Sequence, residues 1–162
     1  MKLIFAAIVL VSVVSDQMTK IATSRSLELY EQIAVLPMFN ITLAHNYGAA
    51  FSFLNIPGGA QRWMFTGISA VVSIALIVWL WRLNRDEKWL GIALALVLGG
   101  AIGNLIDRAM QGYVVDFIQV YYKDWYFPSF NIADSAIFCG TVLLLGLTLF
   151  DKTADTPTDK PA

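Results

Sequence analysis

Four stretches of this chain are long and apolar enough to cross a lipid bilayer, and no other feature narrows its fold so far. A spanning helix needs about 20 residues. The first stretch runs from about Leu3 to Ala22 and is free of charge as far as Ser15. The second, Trp63 to Trp81, and the third, Trp89 to Ile106, hold no charged residue, and the fourth, Phe130 to Phe150, holds one acid, Asp134. Lipid offers no partners for open backbone N–H and C=O groups, so each stretch is expected to be helical. Trp63, Trp79, Trp81 and Trp89 fall at span ends, where amphipathic rings favour the headgroup zone. Hydrophobic residues make up 57% of the chain and charged residues 14%, against about 45–50% and about 25% in soluble domains. Eleven basic residues against 12 acidic ones leave no excess to neutralise phosphates, which argues against a nucleic-acid partner. One cysteine and one histidine exclude a disulfide framework and a Cys/His zinc site. No cofactor and no metal are expected.

Met1-Lys2 followed by an apolar run also resembles a secretory leader, with Ala22-Thr23-Ser24 as a weak cleavage site. The run's continuation to Ala22 and the three spans after it favour a retained first helix. Four spans place both termini on one side. The short link 82–88 carries Arg82, Arg85 and Lys88, whereas the long connection 23–62 carries only Arg25 and Arg62. Basic loops stay in the cytoplasm, so the termini and the 82–88 link are expected there. Segments 23–62 and 107–129 are then the extracytoplasmic parts of a single membrane domain of residues 1–150. The polar tail 151–162 is expected to be disordered. Phe39-Asn40-Ile41-Thr42-Leu43 alternates apolar and polar, as a half-buried strand does. Gly112 to Ile118 is rich in β-formers and reads as extended, and Pro57-Gly58-Gly59 marks a turn. The expected fold is an all-α membrane bundle of four transmembrane helices with a small β-rich extracytoplasmic cap.

The polar residues inside the spans converge on one depth. At about 1.5 Å rise per residue, Asp16 lies roughly 20 Å into the first span and Asn104 roughly 22 Å into the third. Asp107 and Arg108 follow near the outer surface. Asn131 and Asp134 lie within roughly 6 Å of that same surface where the fourth span begins, and Asp116 sits on the outer segment between them. A charge in a spanning helix costs about 2.5–3.5 kcal/mol or more, and such residues usually line a site. Snorkelling to headgroups is the competing explanation for Lys20 and Arg25. Several carboxylates without a His or Cys cluster fit a hard-cation site, a proton relay, or a pair of acids sharing one proton. Such a pair takes a proton from water with one member while the other donates to a carbonyl.

Five motifs in order resemble the lipoprotein signal peptidase (signal peptidase II) family of bacterial inner membranes. They are Asp16-Gln17-Met18-Thr19-Lys20, Asn46-Tyr47-Gly48-Ala49-Ala50-Phe51, the run Gly99 to Arg108, Val114-Val115-Asp116-Phe117, and Phe130-Asn131-Ile132-Ala133-Asp134. The resemblance spans nearly the whole chain. It implies an aspartic endopeptidase with Asp116 and Asp134 as the catalytic pair. Asp16, Asn46, Gly100, Asn104, Asp107, Arg108, Asn131 and Ala133 match further motif positions, and Asn46 and Arg108 would contact substrate. It also implies prolipoprotein substrates carrying diacylglyceryl-cysteine, cleaved just before that cysteine, with membrane lipids around them and the cyclic peptide globomycin as an inhibitor.

Asn131, one turn before Asp134, is expected to orient that carboxylate, and Asp107 to orient Arg108 or the end of the third span. Ala95, Gly99 and Gly103 recur every four residues, a spacing that lets helices approach closely. His45 reads as a hydrogen-bonded structural residue and Cys139 as core. Asn40-Ile41-Thr42 is a chance match to a glycosylation signal. Tyr121, Tyr122, Trp125, Tyr126 and Phe127 read as an interfacial anchor for the cap, or as the wall of an acyl-chain groove. A proton-coupled transporter predicts polar residues through the whole depth; the inner halves of spans two to four break only at Ser, Thr and Gly. A purely structural membrane protein predicts that both aspartates tolerate replacement.

Overall fold

The computed structural model describes residues 1–48, 60–84 and 86–151. Ala49, Ala50 and Phe51 of the second motif, the Pro57-Gly58-Gly59 turn, Arg85 and the tail 152–162 lie outside the described residues. Four long helices, α1 (Lys2–Ser26), α2 (Ala60–Arg82), α3 (Lys88–Met110) and α4 (Ile132–Asp151), are joined by four strands: β1 (Gln32–Leu36), β2 (Phe39–Asn46), β3 (Val114–Tyr122) and β4 (Trp125–Tyr126). All four helices are long and apolar enough to span a membrane. α1 and α3 continue a turn past the apolar limits at Ala22 and Ile106, so Asp107 and Arg108 belong to the last turn of α3.

α3 is the axis of the bundle. Half of its most apolar window is buried, against 22% or less in the other helices, because α1, α2 and α4 all pack on α3 and turn their remaining faces outward. Its small residues set the spacing. A Cβ at Gly91 would fall on the Phe5 ring, one at Gly99 would lie 2.6 Å from Ser12 Cβ, and one at Gly103 would lie 2.7 Å from Asp16 Oδ2. The four-residue stripe is thus the seat of α1. Gly100, on a neighbouring face, receives α4: a Cβ there would fall on the carbonyl oxygen of Ala133. Leu76, Leu80, Leu94 and Leu98 close the core at the other end of the bundle around Phe5.

The strands form one antiparallel sheet in the order β1-β2-β3-β4. Leu27, Leu43 and Val115 make its small core. In the β2–β3 register Ala44 faces Asp116 and Asn46 faces Val114. Asn46 and Asp116 are therefore diagonal neighbours on one face. After β4 the chain returns beside β3. The carbonyl of Phe130 accepts from the N–H groups of Phe117 and Ile118, and Phe130 N–H donates to Ile118. This pairing delivers the start of α4 next to Asp116.

Candidate active site

The first turn of α4 organises the site. Four N–H groups at a helix start lack intrahelical partners. Asn131 caps α4: its Oδ1 accepts the N–H of Asp134 at 2.9 Å, the third position into the helix, as an asparagine cap does. The Asp16 carboxylate of α1 accepts the N–H of Ala133 at 2.9 Å, with an anion where the helix dipole favours one. Because the Asn131 oxygen is engaged by the helix, its amide nitrogen points the other way and donates to Asp116 Oδ1 at 2.7 Å. Asn131 therefore orients Asp116 with its side-chain amide, and Asp134 only through the backbone. The Asp134 carboxylate is held from α3 instead, by Asn104 Nδ2 at 2.8 Å. Asn46 Nδ2 donates to the other Asp116 oxygen at 3.0 Å.

Below this pair lies a buried ionic cluster. Lys20 is 2% exposed, and Asp16 and Asp107 are fully buried. Lys20 Nζ lies 2.7 Å from Asp16 Oδ2 and 2.9 Å from Asp107 Oδ2 and donates to Asn104 Oδ1 at 3.0 Å. That bond fixes the Asn104 amide with its nitrogen toward Asp134. Gln17 Nε2 donates to Asp107 Oδ1 at 2.9 Å and to the carbonyl of Gly103 at 3.2 Å. The N–H of Val115 donates to Asp107 Oδ2 at 3.1 Å. The hydrogen bonds of Asp107 thus tie α3 to α1 and β3 rather than to Arg108. Snorkelling does not describe Lys20: α1 turns it into the bundle, between two carboxylates for which it is the counter-ion. Lys20 and Gln17 are the site residues the sequence undervalued. Their signal is the four-residue step from Asp16 to Lys20, which puts both on the face that meets α3.

Arg108 reaches outward from α3, donating to the carbonyl of Gly48 at 3.2 Å and lying 5.6 Å over the Phe65 ring. Its backbone is pinned by Arg62. Arg62 Nε donates to the carbonyl of Arg108 at 3.1 Å and Nη2 to that of Ala109 at 2.7 Å, satisfying end-of-helix carbonyls. Gly112 makes room for it: at φ +85°, a Cβ there would stand 3.0 Å from Arg62 Cδ. Ala133, fully buried, is the small residue that lets α4 close on Gly100.

Asn46, Asn104, Arg108 and Asp134 share a cavity of about 740 Å³ with Phe127, Phe130 and Phe138, so a polar end meets an apolar wall. Tyr121 stacks on Tyr126 with centroids 5.3 Å apart, while Trp125 and Tyr126 are exposed at the sheet end. Burial, then the neighbouring Asp134 carboxylate, push the Asp116 carboxyl up to about 7, against the opposing donors Asn46 and Asn131. His45 stacks on Tyr113 at 3.9 Å, and burial lowers its pKa. Cys139 is exposed and lines the cavity, contrary to the core expectation. α4 meets α3 through Ala133, Ala136 and Gly140, which leaves the Phe138–Cys139 side outside.

The fold and site define a polytopic membrane protein with two carboxylates joined through asparagine amides at one end of its bundle. A family model described as Signal peptidase (SPase) II matches residues 8–150. The chain is 57% identical over 133 residues to a lipoprotein signal peptidase of Pseudomonas aeruginosa, covering 81% of this chain and 79% of that one. It is 52% identical over 148 residues to the lipoprotein signal peptidase of Acinetobacter baylyi, covering 91% and 83%. A solved bacterial membrane enzyme is similar with a TM-score of 0.85 at 30% identity, covering 97% of this chain and 94% of that one. The chain belongs to the signal peptidase II family and is a multi-pass peptidase of bacterial membranes.

Proposed function

We propose that this chain removes the signal peptides of prolipoproteins as an aspartic endopeptidase, cleaving just before the diacylglyceryl-modified cysteine, with water activated between Asp116 and Asp134. The observation that carries the reading is Asn131, which donates to the Asp116 carboxylate and accepts the backbone N–H of Asp134, beside an Asp116 whose pKa burial and the Asp134 carboxylate raise to about 7. Two acids so placed share one proton near neutral pH. The ionised member takes a proton from water, and the resulting hydroxide adds to the scissile carbonyl carbon. The protonated member gives its proton to the carbonyl oxygen. Collapse of the tetrahedral intermediate breaks the C–N bond: the departing amine takes the proton drawn from water, and one hydroxyl of the intermediate returns its proton to the second aspartate, restoring the pair. Asn46, Asn104 and Asn131 orient the carboxylates, and Arg108 faces the substrate backbone. Asp16 and Asp107 hold the surrounding helices, while Gly100 and Ala133 let α3 and α4 close.

The apolar side of the cavity suits a precursor whose acyl chains remain among membrane lipids. Globomycin is expected to occupy the same cavity as an inhibitor. The basic link 82–88 favours cytoplasmic termini, with the pair near the periplasmic face of the inner membrane. Residues 1–150 then form one membrane domain, with segments 23–62 and 107–129 outside and the tail 151–162 inside. The test is cleavage of a diacylglyceryl-modified precursor by purified Asp116→Asn and Asp134→Asn proteins. Each is expected to lose activity at least a thousandfold while keeping the helical content of the parent. Parental cleavage by either variant overturns the mechanism. A precursor lacking the lipid is expected to be cleaved poorly, because the chains supply positioning.

A further inference from the structure

A second cleft lies at the opposite end of the bundle. α1 and α2 both lean on α3, and between the first half of α1 and the last part of α2 they leave a groove of about 390 Å³. Its walls are apolar: Ala6, Leu10 and Val13 from α1, Ile77 from α2, Leu98 and Ile102 from α3. The groove runs into a cavity of about 620 Å³ at the bundle end; the two share Lys2, Phe5 and Leu80, and the second adds Asn84. Lys2 Nζ sits 5.5 Å from the Trp81 ring centroid, a contact that holds the ammonium group at the mouth. From Lys2 to Val13 the helix rises about 16 Å. That is about half of a hydrocarbon core roughly 30 Å thick, the depth of one leaflet.

We propose that this groove is a binding site for one anionic phospholipid, with an acyl chain in the slot and the headgroup phosphate against Lys2 and Asn84. The slot is apolar for one leaflet's depth and carries a cation and an amide only at its surface end. A peptide in the same place would leave its backbone N–H and C=O groups without partners along the apolar wall. A zwitterionic lipid would fill the slot but bring no net charge to Lys2. The groove shares no lining residue with the carboxylate cavity, so the inference is independent of the proposed chemistry.

Native mass spectrometry tests it on the full-length protein in detergent, with equimolar phosphatidylglycerol and phosphatidylcholine of identical chains. The expected result is one retained lipid per chain, with phosphatidylglycerol favoured about fivefold, the worth of one lysine at an anionic surface. Lys2→Gln is expected to abolish that preference while one lipid is still retained. Ala6→Phe, at an exposed position, is expected to fill the slot and reduce retention of both lipids at least tenfold. Inorganic phosphate in place of lipid is expected to leave no adduct. Equal retention of the two lipids by the parent, or a preference that survives Lys2→Gln, overturns the proposal. Lys2→Gln removes a charge at an exposed helix end, so it remains a test should Ala6→Phe fail to fold.

Discussion

Replacing Asn46 by alanine tests the electrostatics of the pair directly. Asp116 accepts two amide N–H bonds, from Asn131 at 2.7 Å and Asn46 at 3.0 Å. Both favour its ionised form and oppose the upward push of burial and of Asp134. A hydrogen bond to a charged group contributes about 1.5–3 kcal/mol, and one pH unit corresponds to about 1.4 kcal/mol. Losing the Asn46 bond therefore raises the pKa of Asp116 by about 1–2 pH units. Asn46 is only partly buried, so water replaces part of the bond and the lower figure, about one unit, is expected. The sign follows from the donors: they stabilise the anion, and without one of them the proton is held to higher pH. If cleavage needs the shared proton, kcat/KM falls as pH rises through the upper titration of the pair, near pH 7 in the parent. In Asn46→Ala that alkaline limb is expected near about pH 8. The assay is kcat/KM for a lipidated precursor from pH 5 to 10. The position of the limb is read rather than its height, because Asn46 also lines the cavity. A limb that stays in place or moves to lower pH refutes the reasoning.

Lys20→Met leaves Asp16 and Asp107 buried without their common cation, and breaking such a pair costs about 3–5 kcal/mol. The expected outcome is a marked drop in melting temperature in detergent, recovered in part when Asp107→Asn is added. Arg62→Gln removes both side-chain donors from the end of α3 and is expected to destabilise by about 1 kcal/mol. Gly112→Ala costs about 1–2 kcal/mol through its left-handed backbone. Because the new methyl also displaces Arg62, the double variant is expected to lose less than the two single losses added together, read by melting curves.

The parts of the fold legible in the sequence are those written in periodicity and length. The spans emerge from uninterrupted apolar runs, β2 from the alternation around Ile41, and β3 from its β-branched and aromatic residues. The convergence of Asp16, Asn104, Asp107, Asn131 and Asp134 follows from counting rise per residue, since a straight helix fixes depth. Rotation about the helix axis is less visible. It decides that Cys139 faces out while Ala136 and Gly140 face α3, and apolar residues all round α4 carry no record of that choice. Partner identity is less visible still. Asn131 is one turn from Asp134, which suggests a side-chain pairing, but the demand of the helix end for an acceptor claims its oxygen and redirects its nitrogen to Asp116. The Arg62 contact left no pattern, because it joins residues 46 positions apart. β1 and β4 are short and exposed, without a buried face to impose alternation.

Under the proposed mechanism, burial first and then the charges around the pair account for the proton held there. Asp16, Asp107, Asp116 and Asp134 surround the site, with Lys20 and Arg108 as the cations. Lys20 is engaged in ion pairs with Asp16 and Asp107 at once, and those two already exceed it by one negative charge. Arg108 is the remaining cation, and its guanidinium feels Asp134, Asp116 and Asp107 together. One cation cannot balance two more ionised carboxylates in a site where Asp116 is buried. Buried charges without partners are costly, and binding one proton to the pair is the least expensive relief. Lys20 favours the ionised form of Asp116, but it is also paired to Asp16 and Asp107 and does not offset the burial of the pair. Under the proposed mechanism the ionic cluster below the pair is then part of its chemistry as well as of its scaffold, because its charges bear on how many protons the pair retains.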